Sequence, residues 1–172
     1  VLHTPQRSEI SETRTADAFA GVEPGVGNGD MEKGERHEGM LWGLDPGAKP
    51  IEGIGGHVAT SAGGMEAVKY GATKDNVLGV KVVLADGREV KLGGRTLKQA
   101  FGYDLTQLMI GSEGTLGIIA EVIVKLLPIP LGTPVMGVAF FDNMTALAKA
   151  VTAIRISVFF PRRLRALMAN TS

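Results

Sequence analysis

Cysteine is absent from the 172 residues, which excludes disulfides, thiolate metal sites, iron–sulfur ligation and a cysteine nucleophile. No apolar run approaches the ~18–20 residues that span a bilayer, and Val1–Glu12 lacks the pattern of a secretory signal. Excess positive charge is also missing, because 18 Lys and Arg balance 18 Asp and Glu. The composition therefore predicts no nucleic-acid partner and no transmembrane segment, and it is compatible with a cytoplasmic protein.

Short motifs that would identify a catalytic site are missing as well. The three histidines, His3, His37 and His57, are too far apart to suggest a metal site, so no metal is expected. No G-x-G-x-x-G follows a strand, no P-loop is present, and Ser61 does not lie in G-x-S-x-G. The cluster Arg162, Arg163 and Arg165 is more typical of a solvated surface than of a binding site. The residues thus leave the catalytic group unknown.

Glycine is abundant: the 24 glycines are about twice the average usage. Many of them fall in two segments, Gly53–Gly64 and Gly111–Gly117. A backbone without Cβ atoms can approach phosphate oxygens and present its N–H groups to them. The first segment has no helical stripe, and it is also consistent with a buried glycine-rich turn. The residues alone predict an α+β domain with two loops suited to a diphosphate or nucleotide.

Apolar periodicity gives the expected secondary structure. A polar helix is predicted over Asp30–Glu38, ended by Gly39. Strands are predicted over Val77–Leu92 as a hairpin with an Asp86-Gly87 turn, over Ile118–Leu127 and over Val135–Phe141. Asp142 or Asn143 is expected to cap a helix that ends before Pro161. Because strands and helices do not alternate regularly, the pattern favours an α+β fold.

Four blocks, in order and with consistent spacing, resemble a known family. They are Asp45-Pro46 with Ile54–Gly64 (IGGHVATSAGG), Val68–Gly79 (VKYGATKDNVLG), Val82–Thr96 (VVLADGREVKLGGRT) and Gly102–Pro128 (GYDLTQLMIGSEGTLGIIAEVIVKLLP). The chain resembles the PCMH-type FAD-binding domain of the vanillyl-alcohol oxidase superfamily, in its glycolate oxidase and D-lactate dehydrogenase branch. This resemblance implies the second subdomain of that domain, with a mixed or antiparallel sheet flanked by helices.

The resemblance implies FAD as cofactor and assigns residues to it. Those matching the family's pyrophosphate and isoalloxazine contacts are Pro46, Gly47, Gly53, Ile54, Gly55, Gly56, Thr60, Ser61, Ala62 and Gly63. Those matching its adenosine and ribose contacts are Glu113, Gly114, Thr115, Leu116, Gly117, Ile118 and Ile119.

Individual roles follow from the chemistry of these side chains. Thr60 and Ser61 are expected to add hydroxyl donors, and Ile118 and Ile119 to pack on a ring. Glu113 either accepts a hydrogen bond from a hydroxyl or braces its loop. Lys69 either offsets phosphate charge or is an ordinary surface lysine. The family usually has Asn at the positions of His57 and Ser61.

The resemblance also implies a domain division and an activity. Residues 1–130 are expected to form a partial FAD-binding domain without its first subdomain, and residues 131–172 the start of a substrate domain. The intact enzyme is expected to oxidise a D-2-hydroxy acid, glycolate or D-lactate, in the cytoplasm or at the membrane surface, with other oxidase subunits as partners. The fragment alone is expected to be inactive. Alternatives are a remnant that binds no flavin, and a piece of a hydroxyglutarate dehydrogenase or an alkyl-glycerone-phosphate synthase.

Overall fold

A five-stranded antiparallel sheet organises the fold. The computed structural model describes residues 7–45, 52–100, 102–157 and 161–165. The strands lie in the order β1-β2-β6-β4-β5. Their bounds are β1 Ile10–Arg14, β2 Phe19–Val22, β4 Val77–Val83, β5 Glu89–Gly93 and β6 Ile118–Lys125. A separate two-stranded ladder pairs β3 (Met40–Leu41) with β7 (Leu127–Pro128). The sheet confirms the α+β prediction and its antiparallel strands.

Short helices connect and flank these strands. They are α1 Asn28–His37, α2 Ile54–Thr60, α3 Ala67–Tyr70, α4 Thr73–Asn76, α5 Leu105–Met109 and α6 Met144–Ile156. In the described part of the chain, none of these helices has the length and apolar character to cross a membrane.

The hydrophobic core lies on one face of the sheet. Alternate residues of β4 and β6 point into it, among them Val80, Val82, Val122 and Val124. Burying such a side chain fully contributes roughly 1.5–3 kcal/mol. All the fully buried members of this core lie between Ala20 and Leu126. The core therefore belongs to the first three quarters of the chain.

The hairpin and the polar helix form where the sequence predicts them. β4 and β5 pair antiparallel, with Val82 opposite Val90. In the connecting turn the Leu84 amide donates to the Arg88 carbonyl at 2.9 Å, and Gly87 takes a positive φ of 84°. Helix α1 begins at Asn28 rather than at Asp30, and Gly39 follows it with a positive φ.

The first glycine-rich segment departs from its prediction, because it contains a helix. Ile54–Thr60 forms α2, although the segment shows no helical stripe. Its buried side is made by Ile54, Gly55, His57 and Val58. Two of these four residues are not apolar, which is why periodicity did not reveal the helix.

The predicted strand over Val135–Phe141 is wrong. Residues 129–143 contain no helix or strand, and the Phe140 side chain is 94% exposed. A strand requires a hydrogen-bonding partner, and none of the described strands pairs with this segment. The helix that follows was predicted correctly: Asn143 caps α6 by accepting from the Ala146 amide at 2.9 Å.

Candidate functional site

The first glycine-rich segment is fastened to the turn that follows β2. The Ile54 amide donates to the Val26 carbonyl at 2.9 Å, and the Gly55 amide donates to the Pro24 carbonyl at 2.8 Å. A Cβ atom on Gly55 would lie 2.4 Å from the Cβ atom of Pro24. Gly53 is equally confined, with the Pro24 carbonyl oxygen 2.6 Å from the same position. Packing within the chain thus explains these two glycines without any ligand.

The second glycine-rich segment lies against the end of α2. The amide of Gly111 donates to the Val58 carbonyl at 3.0 Å, and that of Glu113 donates to the Ala59 carbonyl at 2.9 Å. These carbonyls belong to the last turn of α2, where the helix itself offers few partners. Ser61 ends the helix in a left-handed conformation, with φ 52°. The two segments that sequence assigns to one cofactor are therefore joined by backbone hydrogen bonds.

Three glycines of this junction are not confined by the protein. A Cβ atom on Gly63 or Gly114 would meet nothing within 4 Å, and one on Gly56 would only touch the Cβ atom of Glu52 at 4.0 Å. Gly117 differs, because a Cβ atom there would lie 2.6 Å from Val82 Cγ1. The open glycines expose bare backbone on both segments, a surface that a flat or phosphorylated ligand can approach closely.

The apolar candidates divide into exposed and buried side chains. Leu116 is 45% exposed and Ile118 is 41% exposed, so both are available to a ring. Ile119 is only 9% exposed and belongs to the hydrophobic core. The Ile119 side chain is therefore much less accessible to a ring than that of Ile118, because adjacent residues of β6 point to opposite faces. Ile54 is also fully buried and can offer a ligand only its backbone.

Hydroxyl groups near the junction are partly engaged within the protein. Thr60 donates its hydroxyl proton to the Gly56 carbonyl at 3.0 Å, so the expected free donor is used by the helix. Thr115 donates to the Ser112 carbonyl at 2.6 Å. The Ser112 hydroxyl is buried and has no partner among the described residues. For Glu113, the backbone braces the loop through Ala59 while the residue as a whole is exposed.

The remaining candidates have simple positions. The Ala62 carbonyl accepts a hydrogen bond from the Thr73 hydroxyl at 2.6 Å, which fixes the chain just before Gly63. The ammonium of Lys69 lies 5.4 Å from the ring centre of Tyr70. Pro46 and Gly47 lie outside the described residues. Among the described residues, no group of three or more His, Asp or Glu side chains is placed to hold a metal ion.

His57 occupies a buried polar network that the sequence did not reveal. Asn28 donates from Nδ2 to His57 Nδ1 at 2.9 Å, and it accepts from Trp42 Nε1 at 3.1 Å. His57 Nε2 lies 3.3 Å from a carboxylate oxygen of Glu52, and the Asn28 nitrogen is more distant from it, at 3.4 Å, than from Nδ1. These contacts place the ring proton on Nε2 and leave Nδ1 as acceptor. The fully buried side chain of His57 thus connects α2 to Asn28, which in turn contacts Trp42.

Burial lowers the pKa of His57 below its usual 6.5, and the nearby Glu52 carboxylate opposes this only in part. The ring is therefore neutral at pH 7. A neutral ring suits the network, because a second ring proton would face the amide of Asn28.

Charged groups beside the first segment form a second unforeseen feature. Glu66 is only 2% exposed, and its carboxylate contacts Arg162 Nε at 2.9 Å and Arg163 Nη2 at 2.8 Å. Arg163 Nη2 also lies 2.6 Å from a carboxylate oxygen of Asp45. Two members of the arginine cluster predicted to be merely solvated are thus ion-paired, although both remain about half exposed.

Sequence comparison identifies the family. The profile described as an FAD binding domain matches residues 1–93. The chain belongs to this family. The chain is 39% identical, over 164 residues, to the glycolate oxidase subunit GlcD of Bacillus subtilis (strain 168), covering 95% of this chain and 35% of that protein. A D-lactate dehydrogenase of Anaerostipes hadrus is 50% identical over 109 residues, covering 63% and 23% of the two chains.

A solved structure gives the same result for the fold. The chain matches an alkyldihydroxyacetonephosphate synthase with a TM-score of 0.66 and 26% identity, over 75% of this chain and 23% of that one. The chain spans about a third of the length of its Bacillus relative. FAD is the cofactor of this family, and the open glycines on two joined segments fit a flavin dinucleotide.

Proposed function

We propose that this chain forms cofactor-binding surface in an FAD-dependent enzyme that oxidises a D-2-hydroxy acid, such as glycolate or D-lactate. The observation that carries the proposal is the hydrogen-bonded junction between α2 and the loop 111–117, with bare backbone at Gly56, Gly63 and Gly114. The similarity to a glycolate oxidase subunit and a D-lactate dehydrogenase supports the substrate class.

The proposed role of this chain is to hold and orient the cofactor. Bound FAD supplies the acceptor for the hydride that leaves the α-carbon of the hydroxy acid, while a basic group takes the hydroxyl proton and a 2-keto acid forms. The residues proposed to contact the cofactor are Gly56, Thr60, Ser61, Ala62, Gly63, Glu113, Gly114, Thr115, Leu116 and Ile118. Exposed Leu116 and Ile118 would exclude water from one face of it.

The proposal includes a domain division near residue 130. Because the core ends at Leu126, residues 1–130 are assigned to the FAD-binding domain and residues 131–172 to the beginning of a substrate domain. A small hydroxy acid and further oxidase subunits are the proposed partners of the whole protein, as the word subunit in the relative's name suggests. The proposed location is the cytoplasm, including its membrane surface.

The test is flavin binding by the purified chain and by glycine variants. Gly56→Leu and Gly63→Leu add side chains where the protein leaves open space, so the fold should survive while the cofactor surface is obstructed. FAD affinity, measured by quenching of flavin fluorescence, should fall by about tenfold or more, which corresponds to ~1.4 kcal/mol.

The matched control is Gly29→Leu, since Gly29 is also exposed in a helix with nothing within 4 Å of its Cβ position. This variant should bind FAD as the original chain does. Equal affinity in all three variants would refute the assigned surface. Absence of any flavin binding by the unaltered chain would instead favour the alternative of a remnant that binds no flavin.

A further inference from the structure

The ion cluster around Glu66 connects parts of the chain that are far apart in sequence. Glu66 follows the first glycine-rich segment by two residues, and Asp45 precedes that segment. Arg163 contacts both carboxylates, at 2.8 Å and 2.6 Å, through the same terminal nitrogen. One guanidinium thus links the chain before the segment to the chain after it.

The burial of Glu66 makes its carboxylate dependent on these partners. A carboxylate that is nearly inaccessible to water needs charged or hydrogen-bonding partners, since an unpaired buried charge is costly. Arg163 donates to Glu66 Oε1 from both Nε and Nη2, while Arg162 contacts Oε2. Both carboxylate oxygens are therefore paired with arginines from residues 161–165.

Because Glu66 lies close to Gly63 in the chain, its ion pairs also restrain the candidate site. Its carbonyl accepts from the amides of Lys69 and Tyr70, so Glu66 also precedes α3 as its N-cap residue. Open Gly63 lies only three residues away, and it is held from the other side by the bond between Ala62 and Thr73. Removing the arginine would release one of the restraints on this stretch.

We propose that Arg163 is a positioning residue: it clasps Asp45 to Glu66 and thereby holds the first glycine-rich segment in the shape that receives the cofactor. That the received cofactor is FAD rests on the proposed function, whereas the contacts of Arg163 with Asp45 and Glu66 do not depend on it. Residues 161–165, which follow α6, would then help to shape a surface on the preceding domain.

The test compares Arg163→Met with the unaltered chain in two measurements. The first is amide hydrogen exchange over residues 54–64 without FAD, where protection should fall by about tenfold. The second is FAD affinity, which should weaken by a similar factor. Glu66 keeps Arg162 as a partner in this variant, so the core should remain folded.

Arg165→Met is the matched control, because it removes an exposed arginine two residues away for which no ion pair is observed among the described residues. It should change neither measurement. Arg163→Lys adds a second arm: a single ammonium keeps the charge but loses the two-nitrogen contact to Glu66. Protection in this variant should lie between those of the Met variant and the original chain.

Unchanged hydrogen exchange over residues 54–64 in Arg163→Met would overturn the clasp, whatever the FAD affinity of that variant. If Arg163→Met unfolds, the Lys variant decides, and full protection over residues 54–64 in that variant would overturn the clasp. Loss of protection in a chain that binds no FAD would support the clasp and refute the proposed function, so the two failures are distinguishable.

Discussion

At the scale of single residues, His57 shows how a buried polar side chain can connect the elements beneath a candidate site. Its ring lies between Asn28 and Glu52, fully buried beneath α2. The sequence shows His57 only as a departure from the Asn that the family usually has at this position. It could not reveal the role, because both Asn28 and Trp42 come from distant parts of the chain.

The low pKa of His57 predicts a dependence of stability on pH. In the unfolded chain the imidazole binds a proton below about pH 6.5, whereas the buried ring does so only at lower pH. The unfolded state therefore takes up more protons in this interval, and stability is full above pH 6.5 and declines as the pH falls below it. Urea unfolding should therefore give a lower free energy of unfolding at pH 5.5 than at pH 7.5.

The carboxylates with shifted pKa values do not obscure the effect of His57 between pH 5.5 and 7.5. The carboxylates with lowered pKa values, Glu23, Asp86 and Glu89, start from usual values of 4.5 or 3.8 and stay ionised at both pH values. A His57→Gln variant should have a lower free energy of unfolding at both pH values. The difference in that free energy between pH 7.5 and 5.5 should be much smaller than in the original chain. If its difference equals that of the original chain, another group is responsible.

The scale of elements shows which parts of the fold the sequence could predict. The β4–β5 hairpin was predictable because its signals are local: alternate burial of Val80 and Val82, and a turn that needs Gly87. The packing of the loop 111–117 on α2 was not predictable from periodicity, since it depends on hydrogen bonds between backbones. Only the resemblance to a family placed both segments at one cofactor.

The sequence-based predictions for helix α2 and for residues 135–141 fail in opposite ways. In α2, tertiary contacts with Pro24 and Val26 support a helix that the pattern does not show. In residues 135–141, alternating apolar residues predict a strand, but no neighbouring strand completes it. Local patterns specify an element only where the rest of the fold supplies its partner.

Two adjacent glycines of α2 should respond oppositely to the same change. Gly56→Ala adds a methyl group in open space on a helix and should stabilise the fold by about 0.5–1 kcal/mol. Gly55→Ala forces a Cβ atom to 2.4 Å from Pro24 and should destabilise it by about 1–3 kcal/mol. Urea unfolding of both variants gives the sign of each change in the free energy of unfolding. If the two changes have the same sign, the packing described for α2 is contradicted.

At the scale of the whole molecule, the buried core is unevenly distributed. Its fully buried members end at Leu126, whereas Leu131, Val135, Met136 and Phe140 are almost fully exposed. Helix α6 has no buried residue. The chain therefore consists of a packed sheet region and a following region whose apolar side chains make few contacts among the described residues.

Hydrogen exchange should separate these regions. Amides of residues 131–143 have no strand or helix partners and should exchange almost as fast as in an unfolded peptide. Amides of β6, which lies between β2 and β4, should be among the slowest. Strong protection over residues 135–141 would show that this segment has found a strand partner, and it would contradict a domain division near residue 130.

The place of β6 between β2 and β4 has a consequence for synthesis in the cell. Ala20 pairs with Val124, roughly a hundred positions later, so β2 is synthesised long before β6, its neighbour in the sheet. The region matched by the family profile ends at Gly93 and does not contain β6. Without residues 118–125, β1 with β2 and β4 with β5 are two separate strand pairs, and the edges of β2 and β4 that β6 covers stay unpaired.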